Sequence, residues 1–144
     1  MSAERQLDEF LSRYTPAIRA LAEEALAKLR ARIPSSVRLV YDNYNALVVG
    51  FGPSERASGA VLSIAVYPKW VRLFFLAGAP LRDPKKLLEG SGSHVRSIVL
   101  HSAADLNEPA VRALINAALK ARPIPAGEGQ LVIRSISKKQ RPRR

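Results

Sequence analysis

A series of short apolar runs, separated by turn-forming residues, occupies the middle of the chain and most constrains its fold. Val37, Leu39 and Tyr41 alternate with polar residues, as in a half-buried strand. Asx, Gly and Pro residues separate the runs, and one connection is only Pro68-Lys69. Strands joined by such short connections predict an antiparallel meander. The five predicted strands are 37–41, 46–51, 60–67, 70–77 and 95–101.

Helical periodicity flanks this meander on both sides. Apolar residues at i, i+3, i+4 and i+7 predict a short first helix that ends near Tyr14. Thr15 and Pro16 then begin a second helix, because Thr is a good N-cap and Pro is tolerated at the first helical position. A third helix follows the meander, with Asp105 or Asn107 as its cap.

The order of these elements predicts an α+β fold. Two N-terminal helices and one C-terminal helix are expected on one face of a five- to six-stranded, largely antiparallel sheet. A single domain is predicted over residues 1–122, since 144 residues suit one domain of ordinary size. Residues 123–144 are predicted to form a linker, a short strand at 130–137 and a disordered basic tail.

The positive charge of the chain is concentrated at its C-terminus. The net charge is +11, and residues 122–144 contain seven basic side chains and one acidic side chain, a net of +6. A basic arm can neutralise phosphates and release their counterions, so nucleic acid is one predicted partner. A tail that only increases solubility is the alternative. The predicted nucleic-acid contacts are Lys138, Lys139, Arg141, Arg143 and Arg144.

What the chain lacks disfavours several kinds of site and location. There is no cysteine, which excludes disulfides, thiolate metal sites and cysteine nucleophiles. This composition is compatible with a reducing cytosol, and a cytoplasmic location is expected. The charged N-terminus has no secretory h-region, and no apolar run approaches the ~20 residues that span a bilayer. No membrane partner is therefore predicted.

Templates of enzyme chemistry are also missing. The chain has neither a GxxxxGK(S/T) phosphate loop nor a GxGxxG turn that opens a helix, and no serine lies in a nucleophile elbow. His94 and His101 are seven positions apart on one predicted strand, so they point to opposite faces and cannot easily share a metal. The sequence therefore predicts no enzyme, no cofactor and no metal site, and an enzyme that uses Asp42 or His94 is the alternative.

The remaining candidates are aromatic and polar residues at predicted strand ends. If these ends converge, the residues could line a shallow pocket. In the alternative reading the aromatic residues cap the core, the Asx residues form turns and the arginines are solvated. The pocket favours a non-enzymatic binding domain for an unknown small ligand or protein, and nucleic-acid binding through the tail is the alternative function. The predicted pocket residues are Asp42, Tyr44, Asn45, Trp70, Arg72, His94 and Arg96.

Three segments carry a resemblance to a known family. They are "YPKWVRLFFLAGAPLRDPKKLLEGSG", "HVRSIVL" and "VRALINAALKA", and they occur in family order. The chain resembles the YdhG-like family of small bacterial domains of unknown function over about residues 7–122. The resemblance implies an α+β domain with terminal helices packed on an antiparallel sheet.

The YdhG-like family is described as similar to frataxin, and one branch as an iron chaperone. Such iron binding relies on an acidic ridge along the first helix and a strand edge, so an iron chaperone is a second alternative function. An acidic ridge is disfavoured because basic residues are interspersed along the matching helices. The acidic residues there are Glu4, Asp8, Glu9, Glu23 and Glu24, and the basic ones include Arg5, Arg13, Arg19 and Lys28.

Overall fold

A computed structural model describes all 144 residues and contains three α-helices and six strands. The fold is α+β, as the sequence predicts. The helices are α1 (Ala3–Leu11), α2 (Pro16–Arg32) and α3 (Pro109–Ala121). The strands are β1 (Val37–Asp42), β2 (Leu47–Gly52), β3 (Leu62–Val66), β4 (Val71–Phe75), β5 (Arg96–Leu100) and β6 (Gln130–Ile136). None of the helices has the length and apolar character needed to cross a membrane.

The helices begin at residues that satisfy or remove free backbone N–H groups. The Thr15 hydroxyl accepts a hydrogen bond from the backbone N–H of Ile18, and Pro16 is the first residue of α2. The predicted cap of α3 is wrong, because this helix begins after Glu108. Asp105 instead lies in a separate 3₁₀ helix, Ala103–Asn107, where its carboxylate accepts the N–H of Ser102.

The six strands form one sheet in the order β5-β4-β3-β2-β1-β6. All neighbouring pairs from β1 to β5 are antiparallel, which confirms the predicted meander. β6 follows α3 and pairs in parallel with β1, which makes the sheet mixed. A parallel neighbour requires a crossover connection, and the chain between β5 and β6, including α3, provides it.

One hydrophobic core lies between the helices and a single face of the sheet. Phe51, Leu62 and Phe75 are cross-strand neighbours on that face, and all three are fully buried. They belong to the same cluster as Phe10 of α1 and Leu29 of α2. The alternate strand residues form the opposite face, which we call the open face. Its half-buried members include Tyr41, Val48, Arg72, Phe74 and Val99.

The C-terminal segment corrects two predictions made from the sequence. β6 adds to the edge of β1, so the folded unit continues beyond residue 122. The basic tail is ordered rather than disordered, because the N–H of Arg141 donates to the Tyr44 carbonyl at 2.9 Å and Arg143 is buried. An uncovered β1 edge would leave backbone groups without partners, and β6 satisfies them while it carries the tail past Asp42.

Candidate functional site

Two hairpin turns lie next to each other at one end of the sheet, which we call the turn end. Residues 43–46 connect β1 to β2, and residues 67–70 connect β3 to β4. Leu47 at the start of β2 pairs with Val66 at the end of β3, so both turns extend from the same end of the sheet. Neighbouring strands are about 4.8 Å apart, which places the centres of the two turns about 10 Å apart.

Three of the predicted pocket residues lie at the turn end. Tyr44 and Asn45 are in the first turn, and Trp70 closes the second turn by accepting the Tyr67 N–H at its carbonyl. Arg72 lies two residues further along β4, on the open face. Its guanidinium Nη1 is 3.2 Å from Glu89 Oε2 and 3.0 Å from Ser97 Oγ, so this side chain is held between β5 and the preceding loop.

His94 and Arg96 lie at the opposite end of the sheet. Arg96 pairs with Phe75, five residues along β4 from Trp70, a distance of about 17 Å. The Arg96 guanidinium donates to two carbonyls of the loop before β5, and the His94 carbonyl accepts the N–H of Ala79. The single pocket predicted from strand ends is therefore not formed, because antiparallel strands alternate in direction and β5 begins at the far end.

Asp42 lies beneath the first turn and is buried in a network of charged and polar groups. Its Oδ1 is 2.9 Å from Nη2 of Arg143, and its Oδ2 is 3.2 Å from Nη1 of Arg13. Gln140 Nε2 donates to the same Oδ2 at 2.9 Å. Because both carboxylate oxygens have partners from the chain itself, Asp42 fixes the tail to the domain rather than facing a ligand.

Tyr14 completes this network from the helical side. Its hydroxyl donates to the Val66 carbonyl at 2.7 Å and accepts the Leu47 N–H at 3.3 Å, so it joins β2 to β3 at the turn end. Burial raises the pKa of the Tyr14 phenol, and the positive charge of Arg143 lowers it by a smaller amount. The buried hydroxyl therefore keeps its proton at pH values where an exposed tyrosine begins to lose it.

Two aromatic side chains remain exposed at the turn end. The Trp70 residue is 45% exposed, and its ring packs against Tyr67 with 5.8 Å between ring centroids. Tyr44 is 40% exposed, and the guanidinium carbon of Arg141 lies 5.5 Å from its ring centroid. Exposed aromatic faces next to positive charge can stack on planar ligands.

Exposed cations occur in the second turn and in the tail segment that crosses the first turn. These cations take part in none of the seven ion pairs of the structure. The turn-end cations are Lys69, Lys138, Lys139, Arg141 and Arg144. Arg143 was predicted as a nucleic-acid contact, but its side chain is buried against Asp42 and cannot reach a phosphate.

One member of this set, Lys69, was missed by the sequence reasoning. It lies between Pro68 and the exposed Trp70 in the second turn. The signal was present, because a lysine next to an aromatic residue in a tight hairpin must extend from the end of the sheet. The sequence does not indicate that the tail returns to the first turn, where Arg141 lies against the Tyr44 ring.

Three of the five acidic residues of α1 and α2 are paired with arginines, and Glu9 and Glu24 are in no ion pair. Arg19 lies 2.8 Å from Asp8 and 2.5 Å from Glu23, and Glu4 lies 3.5 Å from the buried Arg38. Burial and then the neighbouring Arg30 lower the pKa of Arg38, while Glu4 raises it. No group of three or more His, Asp or Glu side chains is arranged to hold a metal ion. Glu4, Asp8 and Glu23 therefore lie in arginine pairs.

Comparison with known proteins gives one partial similarity. The chain is 30% identical over 89 residues to the "Putative malate oxidoreductase [NAD]" of Mycobacterium tuberculosis, in both the CDC 1551 / Oshkosh and the ATCC 25618 / H37Rv strains. The match covers 62% of this chain but only 16% of those relatives. No protein-family model matches the chain, and no solved structure matches it. The resemblance to the YdhG-like family therefore stays a prediction.

Proposed function

We propose that this protein is a non-enzymatic domain that binds single-stranded nucleic acid at its turn end. The observation that supports this function is that two exposed aromatic side chains, Tyr44 and Trp70, lie in adjacent turns, with Arg141 against the Tyr44 ring and the exposed Lys69 directly before Trp70. Asp42 is the carboxylate beneath the first turn, and it is already paired with Arg13 and Arg143.

The turn-end cations would bind phosphates. Each phosphate contact releases condensed counterions, and five contacts to a single strand would give a slope of about −3.5 in a plot of log K against log salt concentration. The tail cations are already ordered, because the Asp42–Arg143 pair fixes the segment that carries them. Binding therefore costs less conformational entropy than it would with a disordered tail.

The exposed aromatic side chains would bind bases by stacking. Stacking of one base on an aromatic side chain contributes about 1–3 kcal/mol and depends little on base identity. The bases of a duplex are already stacked on each other, so their faces cannot reach Tyr44 or Trp70. A preference for single strands and a low sequence specificity follow from this arrangement.

The single tryptophan of the chain gives a direct test. A 20-nucleotide oligothymidylate should quench the fluorescence of Trp70, because the stacked base lies against the indole ring. Trp70→Ala should weaken binding of a fluorescently labelled oligonucleotide by about 5- to 150-fold, measured by polarisation. Val95→Ala is a suitable control, since Val95 is an exposed apolar residue at the opposite end of the sheet.

Two results would count against the proposed function. One is binding of the oligonucleotide without any change in Trp70 fluorescence and with equal affinity for Trp70→Ala. The other is equal affinity for a duplex and a single strand of the same length at the same salt concentration, since the proposed site requires unstacked bases. Absence of binding at low salt would also overturn the proposal.

A further inference from the structure

A second site candidate is a cavity of about 430 Å³ between α2 and α3. It shares no residue with the turn end, and we call it the α2–α3 cleft. Its volume lies within the range of about 300–1,000 Å³ that is usual for small-molecule sites. The cleft is lined by side chains of α2, of the 3₁₀ helix Ala103–Asn107 and of α3.

The charge of this cleft is entirely positive. Three of its lining residues are the cations Lys28, Arg32 and Arg112, and none of the lining residues is a carboxylate. These cations take part in none of the ion pairs of the structure. By contrast, Arg19 and Arg30 of the same helix are paired with acidic residues. Three like charges around one cavity repel each other, and a bound anion would remove that repulsion.

The polar groups of the rim provide hydrogen-bond donors as well as charge. Arg32 is held in place by a hydrogen bond from its guanidinium Nη2 to Oδ1 of Asn116. The Asn107 side-chain amide adds a neutral donor to the lining. One guanidinium group can donate two parallel hydrogen bonds to two oxygens of a phosphate. Two arginines and one lysine therefore suit a dianionic phosphoryl group better than they suit a single carboxylate.

The floor of the cleft is apolar. Leu29, Leu106 and Ile115 line it, and all three belong to the hydrophobic core. These side chains are only 1%, 6% and 3% exposed, so a ligand that covers them gains little hydrophobic free energy. The lining therefore favours recognition of the anion itself, above a floor that needs no polar partner.

We infer that the α2–α3 cleft binds a small ligand that carries a phosphoryl group. The phosphoryl group lies among Lys28, Arg32 and Arg112, above the floor formed by Leu29, Leu106 and Ile115. This site is independent of nucleic-acid binding, because the turn end is formed by the β1–β2 turn, the β3–β4 turn and the tail. Failure of one proposal therefore leaves the other intact.

Phenyl phosphate is a suitable probe, and NMR titration of the full chain is the test. The methyl resonances of Leu29 and Ile115 and the side-chain amide resonances of Asn107 should shift together as phenyl phosphate is added. Inorganic phosphate should shift the same resonances, because the cations bind the phosphoryl group, and phenol should cause no comparable shifts. Shifts confined to the turn end, or equal affinity for phenyl phosphate and phenol, would overturn the inference.

A pair of charge-matched variants provides the second test. The triple variant K28Q/R32Q/R112Q should bind phenyl phosphate at least about tenfold more weakly, which is the effect of losing one charge-assisted hydrogen bond. The variant K138Q/K139Q/R141Q removes the same charge from the turn end and should bind it as the unchanged protein does. Equal weakening by both variants would mean that net charge alone attracts the probe, which would also overturn the inference. The map of shifts in the unchanged protein locates the site without any substitution.

Discussion

The guanidinium of Arg143 and the carboxylate of Asp42 form an ion pair of 2.9 Å between residues that are 101 positions apart. Both side chains are almost completely buried, with 4% and 1% of their surfaces exposed. The pair fixes the end of the chain to the end of its first strand. It also determines which basic residues of the tail are exposed and where they lie.

Loss of this ion pair should destabilise the domain. We expect Arg143→Met to lower the free energy of unfolding by about 3 kcal/mol, because Asp42 is left buried without its main partner. This loss lies at the lower end of the range of about 3–5 kcal/mol that is usual when one partner of a buried ion pair is removed. The reason is that Arg13 and Gln140 still contact the carboxylate. Urea denaturation measures the change. Lys139→Met, on the exposed part of the tail, should change stability by less than about 0.5 kcal/mol.

An Arg143→Met variant as stable as the Lys139→Met control would show that the tail is not fixed by Asp42. The double variant Asp42→Asn, Arg143→Met gives a further check. It should recover part of the lost stability, because the buried charge is then absent.

Tyr14 should make the stability of the domain sensitive to high pH. Its pKa is raised above the ordinary value of 10.0, so the folded state keeps the proton while the unfolded chain loses it. This contribution is complete below pH 10.0 and is lost as pH rises through the pKa of the folded state. As pH rises above 10.0 the unchanged protein should therefore lose more stability than Tyr14→Phe does.

The same substitution should also cost stability at neutral pH. Tyr14→Phe removes the hydrogen bonds to Val66 and Leu47, and we expect a loss of about 1–3 kcal/mol. Tyr44→Phe is the matched control, because the Tyr44 residue is 40% exposed. If both variants show the same dependence on pH, the effect does not come from the buried hydroxyl.

Two glycines of the connection before β6 should respond differently to alanine. A Cβ atom at Gly129 would collide with the carbonyl oxygen of Pro34, whereas one at Gly127 would meet no atom within 4 Å. Gly129→Ala should destabilise the domain by about 1–3 kcal/mol by displacing the start of β6. Gly127→Ala should be neutral or slightly stabilising. Thermal unfolding compares the two, and equal melting temperatures would contradict this docking of β6.

The salt dependence of nucleic-acid binding should increase with the number of turn-end cations that contact phosphates. The variant K138Q/K139Q/R141Q should reduce the slope of log K against log salt concentration from about −3.5 to about −1.4, because three of five phosphate contacts are lost. K28Q/R32Q/R112Q carries the same net charge and should keep the original slope. Polarisation of a labelled oligonucleotide between about 50 and 200 mM salt measures both slopes. A slope that falls equally in both variants would place the phosphate contacts outside the turn end.

The elements of the fold were largely predictable because their signals are local. Period-two alternation identifies the strands of the meander, short connections identify the β1–β2 and β3–β4 hairpins, and Thr15-Pro16 marks the start of α2. The cap of α3 was not predictable, because Asp105 satisfies N–H groups of a separate 3₁₀ turn instead. A lone acidic residue before a helix does not reveal which of two consecutive turns it caps.

The candidate site was only partly predictable because strand direction determines which strand ends meet. Trp70 and Tyr44 were identified as candidates and lie at the same end of the sheet, but His94 begins a strand that runs the other way. The composition of the tail indicated phosphate binding without indicating that Arg143 is buried.

The sequence by itself determined the helices, the meander and the location of the excess charge, since each depends on residues close together along the chain. Only the tertiary structure decided that β6 pairs with β1 and that Arg143 reaches Asp42. Both contacts join segments about 100 residues apart. Their formation depends on the unpaired edge of β1 and on a buried carboxylate, which exist only once the sheet has formed. The tail therefore contacts the first hairpin within the stretch from Asp42 to Ala46.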